Sequence, residues 1–278
     1  MSTSTKPRRR KPKVPTVTVT LAKFDTREPT YRLVREGVPI ADFKPLVGED
    51  YLPSGGTPLR DAVARMIGHG DQLRGPDHVT IMVLLDESGS MAGNEASVIA
   101  GVNRFVDGMS DVKAVDPKAA GTVLAVIVTD GYENSSREVD QLTLQKLVQG
   151  READGWTFIF LGADIDAWQQ GYGLGLSGGA TGQSVSYRNT PEGTAAAMDY
   201  VTADSMSYLS NVRAYQTNKV TSGTTMSSIT PEGVQLTSNI NAGPTTSAPP
   251  TFTATTPVVP TPYGNVEEAL KKAKEKTS

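Results

Sequence analysis

The sequence predicts an α/β fold: a doubly wound, mostly parallel sheet with an antiparallel edge hairpin and helices on both faces. Three observations carry this. The runs VTIMVLLD (79–86), VLAVIVTD (123–130) and WTFIFLGAD (156–164) are almost continuously apolar, as expected of parallel strands covered on both sides. Stretches with helical spacing separate them, and strand-helix alternation marks a doubly wound sheet. Two alternating, β-branched segments precede them, TVTVTLAKFD (16–25) and TYRLVREGVPI (30–40), the second carrying Glu36-Gly37 as a turn signal.

In chain order, the two leading segments form the edge hairpin. TPLRDAVARMIG (57–68) reads as a helix. The strand at 79–86 follows, and then Val98, Ile99, Val102, Phe105, Val106 and Met109 recur at three- and four-residue intervals, as on a helix. After the strand at 123–130, SREVDQLTLQKLVQG (136–150) is helical in pattern. The strand at 156–164 comes next, and residues 191–214 supply a closing helix. The domain so defined spans residues 14–215.

Its flanks differ in composition. Residues 1–13 are a basic arm carrying Lys6, Arg8, Arg9, Arg10, Lys11 and Lys13. The whole chain has 27 Lys and Arg against 30 Asp and Glu, a net charge of -3; without those six, 21 face 30 and the balance is -9. Such an arm is either solvated and disordered or a weak, salt-dependent contact for nucleic acid or an anionic surface. Between 216 and 262 the chain is rich in Ser, Thr and Pro, with only Lys219 and Glu232 charged, so it offers too little apolar surface to order itself strongly and reads as a flexible tail. In YGNVEEALKKAKEKTS (263–278), Asn265 is a helix cap, Glu267 and Glu268 suit the first turn, and Val266, Leu270 and Ala273 share a stripe. That short amphipathic helix is marginal alone.

Composition also excludes several chemistries. There is no cysteine, hence no disulfide, thiolate metal site or cysteine nucleophile. Only His69 and His78 are available as imidazoles. The sequence shows neither a secretory signal nor an 18-residue apolar run, and the expectation is a cytoplasmic protein, or a virion component if phage-encoded.

The residues with chemistry lie at the strand ends. In an open parallel sheet, ligands bind at the carboxyl ends of the strands, where Asp86 and Asp130 both fall. Two converging carboxylates repel unless a cation lies between them, and the hydroxyls of Ser88 and Ser90 add neutral oxygen donors. An all-oxygen set suits Mg²⁺ or Mn²⁺, with bonds of about 2.1 Å for Mg²⁺.

DESGS (86–90) resembles the Asp-x-Ser-x-Ser motif of von Willebrand factor type A domains. SGGTPLRDAV, with Thr57, and VTDGYENSS, with Asp130, resemble the two other loops of that family's metal-ion-dependent adhesion site. The wording is most similar to that of intracellular bacterial and phage members, over roughly residues 14–215. The resemblance implies that Asp86, Ser88 and Ser90 form the core of a metal site, with Thr57 and Asp130 coordinating directly or through water. It also implies a bound Mg²⁺ or Mn²⁺ and a protein partner that supplies an Asp or Glu carboxylate. One feature departs from the family order: the threonine loop precedes the Asp-x-Ser-x-Ser strand, when it should follow. All rearranged connections fall at the amino ends of strands, so a permuted but spatially intact domain is expected, with Thr57 beside Asp86.

Plainer roles exist for the same residues. Thr57 before Pro58 fits a helix N-cap; Ser88, Gly89 and Ser90 fit a turn, as does Asp130-Gly131. Glu133 and Asp164 are read as solvated or structural. The function expected is a metal-dependent binding module and not an enzyme. The alternatives are an assembly component, such as a phage particle protein tethered by its tail, and a metal-dependent phosphoester hydrolase. For the last, the motif lacks the second aspartate that a haloacid-dehalogenase-type site needs, since Ser88 stands there, and no Gly-x-x-x-x-Gly-Lys-Ser/Thr phosphate-cradling loop is present.

Overall fold

The computed structural model describes residues 14–112, 114–178, 181–212 and 215, and the backbone of 226–230 and 233–237. The basic arm and the C-terminal helix expected at 263–278 lie outside the described residues. The strands are β1 (Thr16–Phe24), β2 (Tyr31–Pro39), β3 (His78–Asp86), β4 (Val123–Thr129), β5 (Thr157–Ala163), β6 (Gly182–Tyr187), β7 (Met226–Thr230) and β8 (Gly233–Thr237). The helices are α1 (Leu59–Leu73), α2 (Glu95–Ser110), α3 (Gln141–Ala153), α4 (Ala167–Leu174) and α5 (Pro191–Ser210).

All strands join one sheet in the order β2-β1-β3-β4-β5-β6-β7-β8. The pairs from β1 through β7 are parallel, while β1–β2 and β7–β8 are antiparallel. This is the Rossmann-like α/β architecture, with the hairpin at one edge. β7 and β8 fall inside the Ser/Thr/Pro-rich stretch. GVQLT alternates apolar with polar residues while MSSIT does not, and pairing against β6 supplies the backbone partners that composition could not reveal.

Alternation in the three central strands builds two cores. Val79, Ile81, Val83 and Leu85, with Leu124, Val126, Val128, Ile159 and Leu161, face α2 and α5. Met82, Leu84, Ala125, Ile127, Phe158 and Phe160 face the layer of α1, α3 and α4, where Trp156 is fully buried. Every residue of β4 and β5 is buried, which is why these strands read as continuous apolar runs.

Three boundaries differ from the sequence reading. Glu36-Gly37 is not a turn but a bulge within β2. Val19 pairs with Val38 and Leu21 with Arg35, so Thr20 faces two residues, and Gly37 takes φ of +56° while its N–H donates to Thr20 Oγ1. The reversal itself lies at 25–30, closed by the Asp25 N–H to Thr30 carbonyl bond. α3 starts at Gln141, where Asp140 caps it by accepting from the Thr143 N–H, because 131–140 is spent on a loop around the start of α1. Finally, α4 and β6 carry weak local signals. α4 contains Gly171 and Gly173, poor helix formers. A Cβ at Gly171 would clash with Ser184 Oγ, so the glycine lets the helix lie against β6.

Candidate metal centre

The site forms where β3 and β4 end. Strand parity aims Asp86 and Thr129 to the α1 and α3 side, the same side as Met82, Leu84, Ala125 and Ile127. Asp86 is fully buried. Its Oδ1 accepts the Ser88 N–H at 2.8 Å, turning the chain out of the strand, and its Oδ2 accepts the Thr129 hydroxyl at 2.5 Å. The Tyr51 hydroxyl donates to the Asp86 carbonyl at 2.5 Å. Ser88 is buried, Ser90 is exposed, and their hydroxyl oxygens lie 3.0 Å apart. The Ser90 hydroxyl donates to Asp130 Oδ1 at 2.6 Å, and the Asn189 amide approaches Asp130 Oδ2 at 3.3 Å.

Thr57 is brought to the same place from 29 positions earlier in the chain. A Cβ at Gly131 would lie 2.7 Å from Thr57 Oγ1 and 3.5 Å from Asp86 Oδ2, so both oxygens border one small space. Thr57 is buried, its N–H donates to Asn134 Oδ1 at 3.0 Å and its carbonyl accepts from the Asn134 N–H at 3.3 Å. It does not cap α1. The helix starts at Leu59 with Pro58 in the cap position and no side-chain cap bond. Its first amides are satisfied instead from the loop after β4: Arg60 N–H by Glu133 Oε2 at 2.8 Å and Asp61 N–H by Ser136 Oγ at 3.2 Å. Glu133 is therefore structural. Asp164 is exposed at the end of β5 with a left-handed φ of +51°, and its charge adds to burial, the larger cause, in raising the Asp130 carboxyl.

Burial pushes the Asp86 carboxyl up to about 6, with the bonds from Thr129 and Ser88 opposing the shift. Burial also raises Asp130, against the bond from Ser90. Both shifts say that negative charge here is under-compensated by the protein itself. Adjacent ligands of an octahedral ion with 2.1 Å bonds stand about 3.0 Å apart, close to the Ser88–Ser90 and Ser90–Asp130 separations of 3.0 and 2.6 Å. Two carboxylates and three hydroxyls from Asp86, Asp130, Ser88, Ser90 and Thr57 thus fit a hard divalent cation. Among the described residues no group of three or more His, Asp or Glu side chains gathers as a metal site; the candidate centre depends on hydroxyls.

Gly131 gives a direct check. Its backbone does not need glycine for φ, yet a Cβ would press on Thr57 Oγ1. Gly131→Ala is expected to weaken Mn²⁺ binding by about tenfold, the scale for disturbing groups that orient metal ligands, while shifting thermal stability little. Calorimetric titration beside a thermal melt reads both.

Comparison of the chain with protein-family models, curated proteins and solved structures finds no match. Among the described residues, no helix is long and apolar enough to cross a membrane.

Proposed function

We propose that this domain is a divalent-cation-dependent protein-binding module of the von Willebrand factor A type with permuted block order. The observation that carries the reading is the meeting of Thr57 with Asp86 at Gly131, because only a site built from all three loops needs that contact. Asp86, Ser88 and Ser90 would hold Mg²⁺ or Mn²⁺, with Thr57 and Asp130 completing the set. A bound cation would supply a Lewis-acidic position for one carboxylate of a partner protein.

The protein's own share is orientation and charge. Ser88, Ser90 and Thr57 are neutral donors, so the site carries only two formal negative charges, fewer than a divalent cation with an all-carboxylate cage would meet. An incoming Asp or Glu therefore retains a strong attraction. The Ser88 N–H and the Thr129 hydroxyl hold Asp86 in one rotamer, and Asn189 steadies Asp130. This donor set favours binding over phosphoester hydrolysis, since two-metal hydrolases gather more carboxylates; metal-stimulated turnover of generic phosphoesters would reverse that choice.

The test is titration of Mn²⁺ into the full chain and into Asp86→Ala and Thr57→Ala. One ion should bind the wild type, and each substitution should weaken it at least tenfold. A Thr57→Ala variant that binds as the wild type does would leave Thr57 outside the site and sink the adhesion reading. A partner complex that survives EDTA would do the same for the metal-bridged carboxylate.

A further inference from the structure

The second residue of the motif, Glu87, is turned the opposite way from Asp86 and is fully buried. Its surroundings are unusual for a loop glutamate. Oε1 accepts the Leu52 N–H at 2.5 Å and the Lys23 ammonium at 2.9 Å. Oε2 accepts from Arg32 at 2.6 Å and lies 3.1 Å from an Arg27 nitrogen. Its backbone is engaged as well: the Glu87 N–H donates to the Phe24 carbonyl at 2.8 Å and its carbonyl accepts the Ser54 N–H at 2.7 Å. Two positions on, Gly89 N–H donates to the Gly55 carbonyl at 3.0 Å. The second anion of the cluster, Asp25, is also fully buried and contacts Arg27 and Arg32.

These bonds share a direction. They tie the loop that ends in Thr57, through Leu52, Ser54 and Gly55, to the loop that contains Ser88 and Ser90. The two loops are far apart in sequence and belong to different strand ends, so local chain geometry cannot set their relative position. Lys23 and Arg32 fix the Glu87 carboxylate from β1 and β2 in turn. A buried carboxylate with this many charge-assisted bonds has a single permitted placement, since shifting it would strand either a buried charge or the Leu52 N–H.

We infer that Glu87 is a positioning residue for the metal centre, the joint that registers the threonine loop on the serine loop and so places Thr57 beside Asp86. The inference rests on the metal-binding reading above. The Glu87 carboxylate bonds to no donor oxygen of the site and acts through Thr57, which separates it from residues that merely add charge or stability.

A double-substitution cycle in Mn²⁺ affinity tests this, using the full chain with Glu87→Gln, Thr57→Ala and the pair. Glu87→Gln keeps the side-chain shape and is expected to weaken Mn²⁺ roughly tenfold or more, as loss of a group that orients a metal ligand does. If Glu87 works through Thr57, the pair should bind within about twofold of Thr57→Ala alone; independent sites would show the product of the two losses. Additive losses overturn the positioning role, and so does a Glu87→Gln variant with wild-type affinity. Should Glu87→Gln fail to fold, Leu52→Pro replaces it: the exposed Leu52 side chain leaves the core untouched, while the N–H that Glu87 accepts is removed and φ at position 52 is fixed. That cycle is read the same way. A wild-type chain that binds no Mn²⁺ overturns the proposed function together with this inference, whereas normal binding with an additive cycle overturns the inference alone.

Discussion

Asp86→Asn is expected to abolish the response to divalent cations while raising the melting temperature of the cation-free chain. The two effects share a cause. Asp86 is fully buried, and burial lifts its carboxyl to about 6, against an ordinary value near 3.9. With a folded value above the unfolded one, the folded chain is favoured while the group is protonated. That contribution is complete below about pH 4 and is lost as pH rises to about 6. At neutral pH the ionised Asp86 therefore costs on the order of 3 kcal/mol in the absence of a cation. Asparagine removes the charge and keeps the oxygen that accepts the Ser88 N–H. The Thr129 hydroxyl must then turn towards the Gly131 carbonyl, 3.3 Å away, which returns part of the gain. A net rise of about 1–2 kcal/mol remains, or roughly 2–4 °C per kcal/mol for a domain of this size. The same shift fixes the pH dependence of the wild type: saturating Mg²⁺ should raise its melting temperature clearly at pH 7.5 and much less at pH 5, where a proton competes for the carboxylate. Melts of both chains, with EDTA and with Mg²⁺, decide the matter. An Asp86→Asn chain that is less stable without metal and still responds to Mg²⁺ would show that Asp86 is an ordinary structural carboxylate.

Asp61→Ala is expected to cost about 3–4 kcal/mol of stability and to loosen the loop that carries Asp130. Asp61 is nearly buried in the first turn of α1, and its carboxylate accepts three successive backbone N–H groups, of Arg137, Glu138 and Val139, at 2.7, 3.0 and 2.8 Å. Hydrogen bonds to a charged group contribute roughly 1.5–3 kcal/mol each when measured singly, and they are not additive. Burial raises the Asp61 carboxyl, with the backbone amides of Arg137, Val139 and Glu138 opposing. Asp61→Asn should fare little better, because its amide nitrogen would meet an N–H donor where a carboxylate oxygen stood. Chemical denaturation gives the energy, and faster amide exchange at 137–139 would locate the loss. A change below 1 kcal/mol would mean that water replaces the carboxylate without cost.

The parts of this fold legible in the sequence are those set by local periodicity. The apolar runs at 79–86, 123–130 and 156–164 coincide with β3, β4 and β5, since strands covered on both faces have no polar positions to obscure them. Residues 191–214 contain α5, marked by Thr190 as cap and Pro191 in the first turn. β6 was not legible: its six residues, GQSVSY, include few apolar ones, and it is a strand because β5 and β7 offer partners on either side. Glu36-Gly37 misled for a related reason, as glycine with positive φ serves a turn and a bulge equally well.

The candidate site divides along the same line. By itself the sequence determined which acids stand at the ends of β3 and β4, and that Ser88 and Ser90 follow Asp86 at a spacing that returns hydroxyls to the carboxylate. Those facts depend on residues at most a few positions apart. Only the tertiary structure decided that Thr57 leaves its helix uncapped, that Glu133 and Ser136 take over the capping of α1, and that Glu87 turns inward to bind Lys23, Arg32 and the Leu52 amide. Each of these joins segments tens of residues apart. Their geometry follows from strand order and register, which place distant loops over one end of the sheet, and no local pattern of residues encodes that placement.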